Sequence, residues 1–156
     1  MKQRSDRRAG SILPLVVICL IALMGMVALA IDVGLVAVAR TQAQDAADAA
    51  ALAGARMLSG DTSSASNLNN VNTAVTSAQT AATNNSLLGR AVAASAVNTQ
   101  AGIYTYDTAS KQFVASFPNA PGANAWSVMK VTINTTTPTY FGRVFNINSF
   151  NISATA

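Results

Sequence analysis

The sequence predicts an α+β protein in which a long N-terminal transmembrane helix continues into an αα-hairpin and a small antiparallel β-rich domain follows. Three observations lead to this prediction. A run without any charge covers residues 12–31, an alanine-rich stretch extends it to residue 58, and alternating strand-like segments with most of the aromatic residues lie beyond residue 90. The expected units are a cytoplasmic basic flank at 1–11, the transmembrane helix at 12–31, its extramembrane continuation at 32–58, a loop and second helix at 59–89, and the β-rich domain at 90–156.

Composition excludes several classes of functional site. The 156 residues include no histidine and no glutamate, and the single cysteine, Cys19, lies inside the charge-free run. Zinc sites built on histidine, Cys/His catalytic pairs, paired glutamates and internal disulfides are therefore ruled out by counting. We expect no cofactor and no metal.

The positive charge of the chain is concentrated before the charge-free run. The net charge is +4, and Asp6 is the only acidic residue among four basic residues near the start: Lys2, Arg4, Arg7 and Arg8. A basic group beside an apolar run is typical of the cytoplasmic flank of a membrane span rather than of a groove that follows nucleic-acid phosphates. The sequence therefore predicts a lipid bilayer as a partner, with the N-terminus in the cytoplasm, and no nucleic acid.

The run "ILPLVVICLIALMGMVALAI" at 12–31 has the length of a membrane span. At about 1.5 Å per residue it covers about 30 Å, which is the hydrocarbon thickness of a bilayer. Pro14 falls in the first turn, where a missing amide donor costs little. We therefore expect a single span in the bacterial cytoplasmic membrane.

Two kinds of processing compete with a retained anchor. "ALA" at 28–30 is a pattern that signal peptidase cleaves, although helix-compatible sequence continues past it. Cleavage near Ala30 would release a secreted or surface adhesive β-domain. A prepilin-type leader is disfavoured, because the fifth residue after Gly10 is Leu15 where such leaders have glutamate.

The alanine-rich stretch after the span has one polar and one bare face. Plotted at about 100° per residue, small residues and one aspartate share a face that also extends back into the span; this helix-packing face comprises Gly25, Ala28, Asp32, Ala39, Ala43, Ala46, Ala47, Ala50 and Gly54. Such a face lets another backbone approach closely. Two partners fit it: a second helix of the same chain, or other subunits of a membrane-rooted bundle, including further copies of this chain.

Residues 66–83 form the candidate second helix. Apolar residues recur there at spacings of three and four, with Ser66 as a potential N-cap; they are Leu68, Val71, Val75, Ala78 and Ala82. The short link before it suits an antiparallel hairpin.

Asp32 is the first charged residue after the span. A carboxylate at a membrane boundary is usually solvated by headgroups or water, which is the expectation here. The alternative is a pair with a positive group on a neighbouring subunit.

The last third predicts strands. Residues 102–116 form an expected β-hairpin around "DTAS", 126–135 alternate as a half-buried strand, and 150–156 form a last strand. Residues 90–100 suit a first strand or a linker, and 139–146 a short helix or turn that carries Phe141, Val144 and Phe145 into the core. The expected core aromatics are Trp126, Tyr104, Phe113, Phe141, Phe145 and Phe150.

Three motifs resemble a known family. The sequence "RRAG" at 7–10, the span ending in "ALAIDVG" at 28–34, and "RTQAQDAADAAALAGAR" at 40–56 closely resemble the N-terminal region of TadG-like (TadE/TadG-type) proteins of Flp, or tight adherence, pilus assembly. The resemblance implies an inner-membrane protein beside a type IVc pilus secretion machine, with pilin, pseudopilin or Tad secretion-machine subunits as partners. Larger relatives carry a von Willebrand A domain with D-x-S-x-S. Here "DTSSA" at 61–65 lacks the last serine, which indicates a short form without that domain or its metal.

Function is therefore expected to be non-enzymatic. An enzyme would depend on aspartates and lysines that form no recognisable catalytic group, namely Asp45, Asp48, Asp61, Asp107, Lys111 and Lys130. The expected function is a membrane-anchored component of Flp pilus assembly that packs with other subunits through its Ala/Gly face. The released adhesive domain is the alternative.

Overall fold

The computed structural model describes residues 12–58, 70–117 and 126–156. They form two α-helices, α1 (Leu13–Met57) and α2 (Val71–Thr83), and six β-strands. The strands are β1 (Ser86–Leu87), β2 (Arg90–Ala91), β3 (Val97–Asp107), β4 (Gln112–Ser116), β5 (Val128–Pro138) and β6 (Ser149–Thr155). The predicted α+β class is confirmed. The basic flank, Ser66, Leu68 and the "DTSSA" segment lie outside the described residues.

Helix α1 is a single uninterrupted helix of 45 residues, about 68 Å long at 1.5 Å per residue. Proline occupies its first turn, as expected, and neither Gly25 nor Gly34 breaks it. Ala28 is the one residue between 12 and 31 that is not exposed, whereas buried residues recur at helical spacing from Asp32 onward. Within the described residues, α1 is the one helix long and apolar enough to cross a membrane.

Helix α2 packs antiparallel on the C-terminal part of α1. A Cβ atom built on Gly54 would lie 3.0 Å from Ala78 Cβ and 3.2 Å from the Ala74 carbonyl oxygen, so the two backbones are in close contact. Past the end of α2, the Leu88 N–H donates to the side-chain oxygen of Gln42 at 2.7 Å, twelve residues before Gly54. The predicted αα-hairpin is therefore present, and its contact face on α2 is Ala74, Ala78 and Ala82.

The sheet is antiparallel throughout, in the order β4-β3-β5-β6, and β1 pairs with β2 as a separate short ribbon. The "DTAS" turn joins β3 to β4 as predicted. Its geometry follows from Asp107, whose carboxylate accepts hydrogen bonds from the Ala109 N–H and from the N–H and hydroxyl of Ser110. Residues 90–100 combine both expectations, since they contain β2, a 3₁₀ turn at Ala94–Ala96 and the start of β3.

The core lies between α1, α2 and one face of the sheet. Along β5, Met129, Val131 and Ile133 alternate inward as predicted and are buried. Ile133 pairs with Val97 on one side and with Ala154 on the other, so the same layer continues into β3 and β6. Aliphatic strand residues thus fill the space that the alanine face of α1 leaves.

Most of the predicted aromatic core is wrong. Trp126 is buried, but the other five aromatics are exposed: Tyr104, Phe113, Phe141, Phe145 and Phe150. The reason in β3 is strand alternation, because Ile103 is buried and the next residue, Tyr104, therefore lies on the opposite, exposed face. Phe113 stacks on Tyr104 there, with ring centroids 5.4 Å apart.

Strand β5 runs antiparallel to α1 along the part of the helix between Asp32 and Gly54. Met129, near the start of β5, contacts the position of Gly54, and Tyr140, just beyond its end, contacts Asp32. The 22 residues from Asp32 to Gly54 rise about 33 Å as a helix. The 11 residues from Met129 to Tyr140 rise about 36 Å as a strand. The matching lengths place the β5–β6 connection at the end of the sheet that lies beside the 12–31 run.

Replacement of Gly54 by leucine tests the close contact of α1 with α2 and β5. A Cβ there meets Met129 Cγ at 2.9 Å, so a larger side chain must displace packed atoms. We expect Gly54→Leu to lower the free energy of unfolding by about 1–3 kcal/mol, measured by thermal or denaturant unfolding of the full chain in detergent. Gly34→Leu is the matched control, since nothing lies within 4 Å of a Cβ there. Equal effects of the two substitutions would refute the packing described.

Candidate functional site

Asp32 marks the point where the exposed part of α1 gives way to the packed part. It follows directly on the 12–31 span, and its side chain is only 5% exposed. No described basic side chain forms an ion pair with it; its partners are backbone groups. A buried carboxylate of this kind needs several donors to offset the loss of water.

Three consecutive backbone N–H groups supply those donors. The Tyr140 N–H donates to Oδ1 at 2.9 Å, and the Gly142 N–H donates to Oδ2 at 2.6 Å. The Phe141 N–H lies between them, at 3.3 Å from Oδ1 and 3.1 Å from Oδ2. Both carboxylate oxygens are therefore engaged by a chain segment more than 100 residues away. We call this contact the Asp32 clamp.

The clamped segment belongs to the loop Thr139–Asn148, which joins β5 to β6 and is here called the β5–β6 loop. It contains a 3₁₀ helix at Gly142–Phe145, and the clamp donors are the first residue of that helix and the two residues before it, whose N–H groups have no partner within the helix. The loop is closed at its base, because the Thr139 N–H donates to the Asn148 carbonyl at 3.1 Å and the Thr139 hydroxyl donates to the Ile147 carbonyl.

Gly142 lies at a crowded point of this loop. A Cβ atom on it would lie 3.0 Å from Thr139 Cβ and 3.1 Å from the Ile147 carbonyl oxygen, so a side chain would push the two halves of the loop apart. The Ile147 N–H also donates to the Gly142 carbonyl at 3.0 Å, and Asn146 adopts a left-handed conformation with φ of 62° to allow this reversal. The loop is thus held in one shape by its own backbone.

The clamp favours the ionised form of Asp32, which lies just outside the 12–31 span. Burial of the carboxyl raises its pKa, but hydrogen bonds from the Tyr140, Gly142 and Phe141 N–H groups outweigh this and place the pKa below its ordinary value. Because the folded-state pKa is lowered, the clamp contributes stability above the unfolded pKa of about 3.9. That contribution is lost as the pH falls through the folded-state pKa.

The expected solvation of Asp32 by headgroups or water is wrong. The side chain is buried and its oxygens are bound by the chain's own backbone. The alternative expectation, a positive group on a neighbouring subunit, is not required to satisfy the carboxylate. Sequence reasoning missed the three partner residues because they act through backbone N–H groups; the one available signal was Gly142, a glycine within the otherwise bulky "YFGRVF".

The structure divides the predicted helix-packing face into two parts. From Asp32 upward its members are buried within the chain itself: Ala39, Ala43, Ala46, Ala47, Ala50 and Gly54. Ala28, one turn below Asp32, is half-buried, and Gly25 is exposed with nothing within 4 Å of its Cβ position. Only the membrane part of the face is therefore open in a single chain.

The described residues offer little catalytic chemistry. Among them, no three histidine, cysteine, aspartate or glutamate side chains come together as a metal site would require. Asp48 accepts a hydrogen bond from Gln44 at 2.9 Å on the exposed face of α1, and Asp107 holds the β3–β4 turn. The candidate functional site is thus a structural junction at the C-terminal end of the 12–31 run.

Comparison with known proteins gives one family match. Residues 10–57 match the Tad family model, described as "Putative Flp pilus-assembly TadE/G-like". Searches of the curated proteins and of the solved structures gave no match. The matched residues cover the exposed span and the extramembrane part of α1, including Asp32, and the match ends at the last residue of α1.

Replacement of Asp32 by alanine tests the clamp. The variant leaves the N–H groups of Tyr140, Phe141 and Gly142 without their acceptor, so we expect their amide hydrogen exchange to accelerate by on the order of tenfold at neutral pH. Below the folded-state pKa of Asp32 the parent should lose this protection as well. Asp45→Ala, which removes an exposed carboxylate from the same helix, is the control and should leave these amides unchanged. Equal exchange in the parent and the Asp32→Ala variant at neutral pH would disprove the clamp.

Proposed function

We propose, from the TadE/TadG-like character of residues 10–57, that the chain is a non-enzymatic, membrane-anchored component of Flp (type IVc, tight adherence) pilus assembly. The main support for the proposal is that the matched helix has two different environments. From Leu13 to Met57 the matched segment is one continuous helix whose first part is apolar and exposed and whose second part is the packing surface of a folded head. An exposed apolar helix of this length is stable in a bilayer and not in water.

The topology proposed for the anchor follows from charge. The flank that contains Lys2, Arg4, Arg7 and Arg8 precedes the span, and cytoplasmic loops carry an excess of such residues. The N-terminus is then cytoplasmic, the span lies in the inner membrane, and the head formed by α2 and the sheet is extracytoplasmic. There it would meet pilin, pseudopilin or secretion-machine subunits.

Packing against those subunits through the Ala/Gly face is proposed only for the membrane part of that face. Above Asp32 the face is covered by α2 and β5 of the same chain, which supports the intramolecular partner for that part. Gly25 in the span has open space around it, and small residues let helices approach closely within lipid. A neighbouring span, from another subunit or a second copy, would pack there.

A non-enzymatic role is supported by the chemistry of the described residues and by the family description. The matched family is described by assembly rather than by a reaction. The buried carboxylate in the described part of the chain, Asp32, is fully bound by backbone donors, so neither oxygen is free to act as a base.

Deletion of the gene in the bacterium that encodes it tests the proposal. We expect normal cellular levels of Flp pilin and a loss of assembled pili at the cell surface, measured by immunoblot of whole cells and of sheared pili. Expression of the full chain should restore the pili. A chain that starts at residue 32 behind a cleavable signal peptide should not, because it lacks the anchor. Unchanged surface pili after deletion would contradict the assembly function.

The released adhesive domain is the second candidate, and one observation favours it. Tyr104, Tyr106 and Phe113 form an exposed aromatic cluster on the sheet face that points away from the helices. The N-terminus of the native protein, purified from the parent strain, distinguishes the two functions. A mature chain that starts at Ile31, identified by mass spectrometry of the native protein, would establish release and remove the anchored function.

A further inference from the structure

We propose that the β5–β6 loop inserts its apolar tip into the extracytoplasmic leaflet of the membrane, beside the outer end of α1. The inference rests on the membrane-anchored function proposed above and adds a second membrane contact to it. The occupant of this surface is lipid: the interfacial zone where headgroups meet acyl chains.

The loop lies beside the end of the 12–31 span. The backbone of Tyr140 to Gly142 is within hydrogen-bond distance of Asp32, the residue that follows the 12–31 span. Ala28, on the same face one turn lower, is half-buried while every other residue of the span is exposed. Four helical residues correspond to about 6 Å. The clamp, and with it the loop, therefore lies within about 6 Å of Ala28 along the helix axis, at the level where a bilayer around the span would end.

The exposed surface of the loop is apolar. Val144 is 82% exposed and Phe145 is 75% exposed, the highest values among the large apolar residues that the structure describes beyond residue 32. Tyr140, Phe141 and Ile147 are exposed beside them. A cluster of this size on a small extramembrane head is costly in water and indicates a contact surface.

The chemistry of the cluster suits an interface between water and lipid. Aromatic residues are enriched at the headgroup level, where an apolar ring and a polar tip are both accommodated, and Tyr140 has this character. Arg143 sits between the aromatic residues in the same 3₁₀ helix, and its long side chain can extend to lipid phosphates. The loop contains no acidic residue from 139 to 148. Arg90, which lines a crevice together with Tyr140, adds a second positive charge nearby.

The rigidity of the loop favours insertion as a preformed unit. Its base is closed by Thr139, its middle is fixed by the Ile147–Gly142 hydrogen bond, and its backbone is bound to Asp32. The polar backbone groups that would otherwise be costly in hydrocarbon are thus largely satisfied within the chain. Lipid is preferred over a protein partner because the clamp holds this surface beside the end of the span, where the interface of a surrounding bilayer lies on every side not taken by another span.

Environment-sensitive fluorescence of the full chain in phosphatidylethanolamine/phosphatidylglycerol vesicles tests the inference. In a Cys19→Ser background, an NBD probe is attached at one of three new cysteines: Val144→Cys in the loop, Leu23→Cys in the span, or Val114→Cys at the far end of the sheet. All three positions are exposed in the structure. Vesicles with and without spin-labelled lipid report whether each probe touches acyl chains.

We expect blue-shifted emission and lipid quenching at Leu23 and at Val144, and water-like, unquenched emission at Val114. A quenched Leu23 probe with a water-like Val144 probe overturns the loop insertion and leaves the anchored function standing. Water-like emission at both shows that the anchor itself fails. A Val144 probe with blue-shifted emission in native membranes but water-like emission in vesicles that contain no other protein identifies a protein partner. This result also overturns the inference.

A second pair of variants separates lipid contact from folding. Val144→Asp with Phe145→Asp changes only exposed side chains, so the Asp32 clamp should persist. With a probe at Ile147→Cys, we expect lipid quenching in the parent and its loss in this double variant, with unchanged exchange of the Gly142 amide. Retained quenching at Ile147 despite both aspartates would contradict insertion of the tip.

Discussion

A carboxylate at the edge of a membrane span can satisfy its hydrogen bonds with water or with the protein, and here the protein provides them. Asp32 receives three consecutive backbone N–H groups from the β5–β6 loop, and this contact joins the first charged residue after the span to the far end of the chain. Because α1 is one unbroken helix, the clamp fixes where the sheet begins relative to the 12–31 span. The position of the loop, its exposed apolar tip and the orientation of β5 along α1 all depend on it.

The alanine face of α1 provides the second constraint. Ala43, Ala47 and Ala50 are completely buried, and their small side chains let α2 and the sheet approach the helix backbone on adjacent sides. The extramembrane part of α1 therefore serves as the core helix of the head, while the part below Asp32 remains exposed and apolar. A single helix thus has two environments, and its TadE/TadG-like match spans both.

Much of this architecture could be predicted from the sequence, because it follows from periodicity and composition. A charge-free run, an alanine-rich helix and period-two alternation at Met129, Val131 and Ile133 identify α1 and β5 directly. The Asp32 clamp could not be predicted in the same way. Its donors are backbone groups 108 to 110 residues away, and no side-chain pattern marks them. The prediction of an aromatic core failed for a related reason. Aromatic residues are most often core residues. Here strand alternation puts Tyr104 on the outer face of the sheet, and Phe145 is exposed on the β5–β6 loop.

The distance between the span and the β5–β6 loop shows whether Asp32 holds the loop in place. Spin labels at Leu29→Cys and Val144→Cys, in a Cys19→Ser background and in bilayers, would report it by pulsed electron paramagnetic resonance; both positions are exposed. The account predicts one narrow distance distribution in the parent and a broad distribution once Asp32→Ala is added. A broad distribution in the parent, or an equally narrow one in the Asp32→Ala variant, would contradict the claim that Asp32 holds the loop beside the end of the span.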